Sequence, residues 1–342
     1  MIQEIDLEQD LTWDNTVGTW SDSSVFHTCR WQRVLRDAYG YASCSLEGVF
    51  EEGNRALFPL MEVKSLFTGN RGISLPFTDS CPSLGDHDSR SKLFRAARDL
   101  GRDRKWRYLE VRGGPAPSPD ANPSVSYYGH QVVLYDDCSR MMRSIESGHR
   151  RAIRKAENNS VRIEWSQSLR ALKRFYSLFC VTRQRHGLPP QPWKFFAALH
   201  RNVLALGHGF VALADVEGKS RAGAIFLHFR DRAIYKFGAS DPAFQHLRLN
   251  NLVMWSAFQD YGSKGFQLLD LGRTSLRNQG LRRFKLGWGA NETQINYFKY
   301  DYRLRDFTSA RDDSSGWHTR FFQRIPRPIA KIIGSILYKH IA

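Results

Sequence analysis

The 342-residue chain has only five cysteines (Cys29, Cys44, Cys81, Cys138 and Cys180), widely spaced and without a C-x-x-C pair. That argues against a disulfide framework or a zinc knuckle and points to a reducing compartment, with each thiol expected to be buried and inert. No window approaches the ~18 consecutive apolar residues of a membrane-spanning helix. The opening M-I-Q-E-I-D-L-E-Q-D is acidic and alternating, unlike a signal or transit peptide, so a cytoplasmic location is expected. No G-x-G-x-x-G or Walker A string follows a strand-like run, which leaves nucleotide binding by those routes unsupported. A G-x-S-x-G elbow and an evident Cys–His pair are also missing.

Arginine, by contrast, is abundant. It supplies 37 of the 50 basic residues, against 34 acidic ones, for a formal charge of +16. Such a surplus suits planar, bidentate recognition of phosphate or carboxylate, although a genome that favours Arg codons explains it as readily. Hydrophobic content of 42% and aromatics at 13% are those of a globular protein, and the length suggests two domains.

The first half reads as a strand at Ile2–Leu7, a helix at Phe26–Tyr39 and a hairpin of Leu46–Phe50 with Ala56–Val63. A helix at Ser89–Gly101 and strands at Trp106–Arg112 and Tyr127–Leu134 follow. One helix is expected over Ser139–Asn158, carrying His149, Arg150, Arg151, Arg154 and Lys155. Arg150/Arg154 and Arg151/Lys155 are spaced i, i+4 and repel one another. A solvated face is the ordinary outcome of such a run; a bound anion is the functional one. The second half gives a strand at Val161–Trp165, helices at Leu169–Arg185 and Trp193–Leu206, and strands at Phe210–Val216, Gly223–Arg230 and Ala233–Ser240. A helix at Asn250–Tyr261 and a strand at Phe266–Leu271 complete it. The expected class is α/β with α+β mixed sheets. The expected division is 1–138, a basic connecting helix at 139–160, a second domain at 161–302 and a return segment at 303–342. In that segment Ile329, Ile332, Ile333, Ile336, Leu337 and Ile341 follow helical spacing.

The strings Y-K-F-G-A-S-D-P-A-F, N-N-L-V-M-W-S-A-F-Q-D-Y-G-S-K-G, L-D-L-G-R and R-R-F-K-L-G-W-G together resemble the FemAB-like branch of the GNAT acyltransferase superfamily. The ending I-P-R-P-I-A-K-I-I-G-S-I-L-Y-K-H-I-A resembles FemAB-related proteins found beside exopolysaccharide and PEP-CTERM systems. The resemblance implies two GNAT-like domains in tandem, with the C-terminal segment packing back on the first. It implies transfer of an activated acyl or aminoacyl group to an amine of a cell-envelope peptidoglycan or exopolysaccharide precursor, with no metal and no covalent enzyme intermediate. The donor is then aminoacyl-tRNA or, second, acyl-CoA; no tightly bound cofactor is implied. A non-catalytic RNA-binding or scaffold protein of the same fold is the reading from another class.

Lys285 matches the lysine of the family's F-K motif, where a cation stabilises the oxyanion or the leaving oxygen. Asp270 is the candidate proton acceptor or orienter of Lys285, and Tyr235 the candidate acid or positioner. Arg273, Arg277 and Arg283 are candidates to grip phosphate. Phe284, Trp288, Ser240, Asn250 and Arg112 complete the expected substrate-binding set, with Trp288 either stacking on a base or sugar or lying in the core. An acyl-CoA GNAT carries an R/Q-x-x-G-x-G/A turn ahead of its helix; here the loop is F-Q-H-L-R-L-N-N, without glycine. Side chains at Gln245 to Arg248 are expected to obstruct a close backbone approach, favouring the Fem-like donor. Arg112-Gly113 replaces the Asp-Pro often found in Fem proteins, which leaves other amine acceptors open. The tail, residues 326–342, is expected to pack on the first domain or, as the competing reading, to touch the inner face of the membrane peripherally.

Overall fold

The computed structural model describes residues 1–7, 12–309 and 322–341. In chain order the elements are β1 (Ile2–Ile5), α1 (Trp13–Val17), α2 (Cys29–Tyr39), β2 (Ala42–Ser43), β3 (Ser45–Val49), β4 (Arg55–Phe58), β5 (Met61–Val63), β6 (Arg71–Ile73), α3 (His87–Asp103), β7 (Tyr108–Arg112) and β8 (Val125–Val133). There follow α4 (Cys138–Ser144), α5 (Ser147–Glu157), β9 (Arg162–Ser166), α6 (Leu169–Arg185), α7 (Trp193–Asn202), β10 (Gly209–Val216), β11 (Lys219–Phe229) and β12 (Arg232–Ser240). The last are α8 (Leu249–Ser263), β13 (Leu268–Ser275), α9 (Gln279–Leu286), β14 (Asn291–Asp301), β15 (Asp306–Phe307) and α10 (Arg327–Leu337). Two compact units result. Within the described residues the first comprises 1–127, 294–309 and 336–341, the second 128–293 and 322–335.

In the first unit β1, β3 and β4 form a small antiparallel sheet, and β2, β5, β6, β7 and β14 lie side by side in that order. The expected strand Ala56–Val63 is interrupted at Pro59: β4 pairs with β3, whereas β5 pairs with β2 and β6. Proline has no N–H for a ladder, so the chain changes sheets there. Helix α3 starts at Asp86, whose carboxylate accepts the Ser89 N–H at 2.9 Å, and buries Leu93, Phe94 and Ala97 against Phe58, Leu109 and Phe298.

In the second unit the strand order is β8, β13, β12, β11, β10, β9. β9 to β12 are antiparallel; β12 and β13 are parallel, joined through α8. Alternate residues of β11 serve two layers. Ala222, Ala224 and Phe226 share a core with Val253, Ala257 and Phe258 of α8. On the other face, Gly223 lies under Phe175 of α6, and an added Cβ there would stand 2.7 Å from the Ala212 carbonyl oxygen and 2.8 Å from the Leu213 side chain. The expected single helix at Ser139–Asn158 is two helices, α4 and α5. Extended Ile145 turns its side chain inward between them, and the Glu146 N–H donates to the Gly287 carbonyl at 2.9 Å.

The tail corrects the expected apolar stripe. α10 packs through small residues: Ala330 and Gly334 are buried, and a Cβ on Gly334 would stand 2.2 Å from the Pro190 carbonyl oxygen. Ile329, Ile332 and Ile336 are exposed instead. Residues 322–335 belong to the second unit, where Gln184 donates to the Ile325 carbonyl at 2.9 Å. The last residues belong to the first unit: Tyr41 donates to the Tyr338 carbonyl at 3.0 Å, and Thr68 to that of His340 at 3.0 Å. Part of the expected return segment, 310–321, falls outside the described residues. No described helix is long and apolar enough to cross a membrane. All five cysteines are free thiols, and Cys138 is exposed rather than buried.

Candidate functional site

Strands β12 and β13 pair only from Arg232–Ile234 to Leu268–Asp270, although β12 runs on to Ser240 and β13 to Ser275. The parting coincides with a β-bulge. Phe226 of β11 faces Tyr235 while its neighbour Ile225 faces Phe237, so Lys236 is the extra residue. A bulge bends and twists its strand, which directs the end of β12 away from β13. Past Ile234, β12 has backbone groups without a partner on β13.

Tyr235 sits at this fork. Its hydroxyl lies over Gly238, where an added Cβ would be 1.7 Å from the phenol oxygen; only glycine fits. Burial pushes the phenol up to about 12, so it stays protonated at neutral pH and can donate a proton but not accept one. Across the fork, the Asp270 carboxylate accepts the Gly272 N–H at 2.6 Å, closing a turn in which Gly272 takes a φ of 73°. Lys285 of α9 is buried, and its ammonium donates to the carbonyls of Gly272 at 2.8 Å and Arg273 at 3.0 Å. The three expected catalytic residues thus lie on the two diverging strands and the helix that follows them.

A cavity of about 620 Å³ opens at the start of α8, lined by five cations (Arg151, Lys155, Arg185, Arg221 and Arg248) and one carboxylate, Asp241. The expected residues Ser240, Asn250 and Phe284 line it too. Arg248 caps α8 with a φ of 59° and makes no side-chain cap. The backbone amides of Leu249 and Asn250 have no partner among the described residues, as the first amides of an uncapped helix do not. Two buried guanidinium nitrogens, Arg185 Nη1 and Arg221 Nε, are also without partners there. Arg221 stacks on Phe244 at 4.1 Å and donates to Asp241 at 3.1 Å, which fixes its direction. Open amides, the positive end of the helix dipole and five cations form an arrangement with the chemistry to hold a phosphate-bearing anion. Of the basic run in α5, His149, Arg151 and Lys155 reach this cavity.

Other expected residues fall elsewhere. Trp288 is fully buried between His149 at 4.7 Å and Phe258 at 5.1 Å, so no ring face is open to a base or sugar. Arg277 and Arg283 are exposed and Arg273 half-buried; none of them lines the cavity. Arg112 belongs to the first unit, where it donates to Glu110 at 2.7 Å and packs on Tyr297. The loop without glycine is a 3₁₀ turn, Pro242–Leu247, and Arg248 itself supplies the left-handed residue that a glycine would. The expected obstruction is therefore replaced by a side-chain contribution to the cavity.

Nothing in the sequence singles out Arg185, Arg221 or His130. His130 is buried, 3.1 Å from Glu292, which Arg282 grips with two nitrogens at 2.7 and 2.8 Å. Burial first, then the Lys285 ammonium, lowers the His130 pKa against the pull of Glu292, leaving a neutral imidazole at pH 7. Isolated arginines at strand and helix ends carry no spacing signal. Of the cavity's five cations, only Arg151 and Lys155 stand out in the sequence, through their i, i+4 spacing. Among the described residues no group of His, Cys, Asp and Glu could hold a metal ion.

Residues 143–293 match the family described as acetyltransferase (GNAT) domain. Similar solved structures include FemX (12% identity, TM-score 0.67, covering 89% of this chain and 98% of that one). L-PGS from Bacillus licheniformis follows at 13% identity and TM-score 0.55, covering 99% of this chain and 100% of that one. A tandem GNAT protein from the clavulanic acid biosynthesis pathway has 13% identity and TM-score 0.51, covering 88% and 98%. No curated protein matches the sequence. At these identities the likeness is one of fold, and the fold is of GNAT type: mixed α/β, with tandem-GNAT proteins among its structural neighbours.

Proposed function

We propose that the second unit is an acyltransferase that moves an acyl or aminoacyl group from a phosphate-bearing activated donor onto an amine. The observation that carries this reading is the parting of β12 and β13 beside a cavity with five cations at a helix N-terminus. The donor's phosphates occupy the cavity, and its ester or thioester carbonyl lies in the fork. The amine nitrogen attacks the carbonyl carbon, a C–N bond forms, and the C–O or C–S bond breaks. Asp270 takes the proton released by the amine; Tyr235 protonates the leaving oxygen or sulfur. Backbone N–H groups of β12, past the point where β13 leaves it, receive the oxyanion, where one donor contributes about 2.7–4 kcal/mol. Holding both reactants in the fork contributes roughly 7–11 kcal/mol more. Lys285, with its ammonium on two carbonyls, is a positioning residue of the β13 end.

The favoured donor is aminoacyl-tRNA, because side chains rather than a glycine nest meet the phosphates at Arg248. The FemX and L-PGS likeness supports an acceptor in a cell-envelope precursor. Acyl-CoA is the second donor, favoured by the match to an acetyltransferase domain and by the left-handed backbone at Arg248. Turnover by the full chain, supplied with charged tRNA or acyl-CoA separately against lipid-linked and soluble amines, decides between them. Transfer from neither donor to any amine would sink the acyltransferase reading.

A further inference from the structure

We propose that the first unit carries an anion site of its own, at the C-terminal half of α3, built for a ligand with adjacent phosphate groups. A cavity of about 810 Å³ opens there, and every residue that lines it belongs to that unit. Five cations face it, Arg95, Arg98, Arg102, Lys105 and Arg305, against one carboxylate, Asp99. The aromatic floor is held by hydrogen bonds. Tyr302 donates to the Arg98 carbonyl at 3.0 Å, a position open to it because residue 101 is glycine; a Cβ there would stand 2.0 Å from the phenol oxygen. Trp106 donates to Glu62 at 2.7 Å, and Arg98 to the Tyr300 hydroxyl at 2.8 Å.

Helix chemistry accounts for only part of this charge. Cations suit a helix C-terminus, and Arg102 also meets Asp99 at 2.5 Å. Arg95, however, lies in the middle of α3, and Arg95, Arg98 and Arg102 follow i, i+3 and i+7 along one line, where like charges repel. Among the described residues no carboxylate pairs with Arg95, Lys105 or Arg305. Asp301, in the turn that carries Arg305, instead accepts the amides of Arg303 and Leu304 at 2.8 and 3.1 Å. Lys105 and Arg305 share a further trait: both are left-handed, with φ of 55° and 58°. Glycine takes that conformation more easily, yet both turns place a cation there, around one cavity.

The charge balance selects the ligand. Five cations against one carboxylate leave four positive charges. A single phosphate group brings roughly two negative charges, so two adjacent groups match the lining better, and guanidinium forks suit their oxygens. The cations come from α3 and from two turns around a cavity, not from one long stripe. That favours a compact diphosphate, free or carried by a nucleotide, over an extended nucleic-acid strand. None of these residues lines the cavity at α8, and the inference stands without the acyl-transfer reading.

The test is labelling of the full chain's arginines with phenylglyoxal, mapped by peptide mass spectrometry. Inorganic pyrophosphate, a nucleoside diphosphate or a single-stranded RNA oligonucleotide is added in turn. The label is read residue by residue, which separates binding here from binding at α8. Pyrophosphate should slow labelling of Arg95 and Arg305 by about tenfold or more and leave exposed Arg170 unchanged. Equal slowing by the nucleoside diphosphate supports a site for the diphosphate alone; slowing at a lower concentration supports one for a nucleotide that carries it. Arg95→Gln with Arg305→Gln should raise the pyrophosphate needed to protect Arg98 and Arg102 by about tenfold. Thermal unfolding of that variant should come no earlier, since it removes charges that repel. Labelling of Arg95 and Arg305 that pyrophosphate does not slow, even at low salt, would overturn the proposal. So would equal slowing by sulfate, which marks plain charge screening, or slowing by RNA alone, which marks an extended strand.

Discussion

The ammonium of Lys285 lies 2.8 Å from the carbonyl oxygen of Gly272, at the point where β13 has left β12. It also takes the Arg273 carbonyl, so this one side chain fixes the backbone that forms one wall of the fork. Lys285→Met keeps the volume but removes the ammonium that both carbonyls accept from. A loss of about 1–3 kcal/mol in unfolding free energy is expected, read by denaturant titration. Turnover should fall roughly tenfold or more, at least about 1.4 kcal/mol in the barrier. Full activity in a destabilised variant would remove Lys285 from the mechanism.

Desolvation raises the Tyr235 phenol to about 12, so at neutral pH it is protonated and can act only as an acid. Tyr235→Phe should lower kcat by roughly 10²-fold or more with KM for the donor little changed. A rise in KM alone would make the hydroxyl a binding group.

Arg248 separates stability from binding. A non-glycine residue in the left-handed region costs about 1–2 kcal/mol, so Arg248→Gly should unfold no earlier than the parent. Its donor KM should nevertheless rise, and depend less on salt, because one of five cations is gone. About tenfold is expected, the equivalent of roughly 1.4 kcal/mol. An unchanged KM would place the donor elsewhere.

His27 makes the first unit pH-sensitive. Its ring is buried, Nδ1 accepts the Ser24 N–H at 3.0 Å and Nε2 donates to the Pro82 carbonyl at 3.0 Å, and burial lowers its pKa to about 4. The unfolded chain binds that proton near pH 6.5, the folded chain only near 4. The stabilisation is therefore complete above 6.5 and lost as pH falls to about 4, a change on the order of 3 kcal/mol. His27→Gln should flatten that slope of stability against pH; an unaltered slope would refute the assignment.

Gly334→Ala tests the docking of α10. Helix propensity alone favours alanine by about 1 kcal/mol. The Pro190 carbonyl, 2.2 Å from the new Cβ, should reverse the sign and cost about 1–3 kcal/mol. Faster amide exchange in residues 327–337 is the expected signature; slower exchange would show that the helix does not dock there.

Local pattern sufficed for most element types of the second unit, but not for α9 or for the break between α4 and α5. α6 is where its apolar period places it, and β10 to β12 are bounded by the turns V-E-G-K and R-D-R. Period and turn chemistry act over a few residues, so they survive in a bare string of letters. The same is true of the i, i+4 spacing of Arg151 with Lys155, which by itself fits a solvated face as well as an anion site. Which residues meet is a different matter, because it depends on contacts between distant segments. Arg185, Arg221 and Arg248 come from three such segments and converge on one helix end. Trp288 reads equally well as a stacking ring or a core ring until Phe258 and His149 are seen to enclose it. α10 shows the same limit. Its isoleucine period is plain in the sequence, but the face that packs was settled by how closely Gly334 approaches the backbone at Pro190, a contact no local pattern encodes.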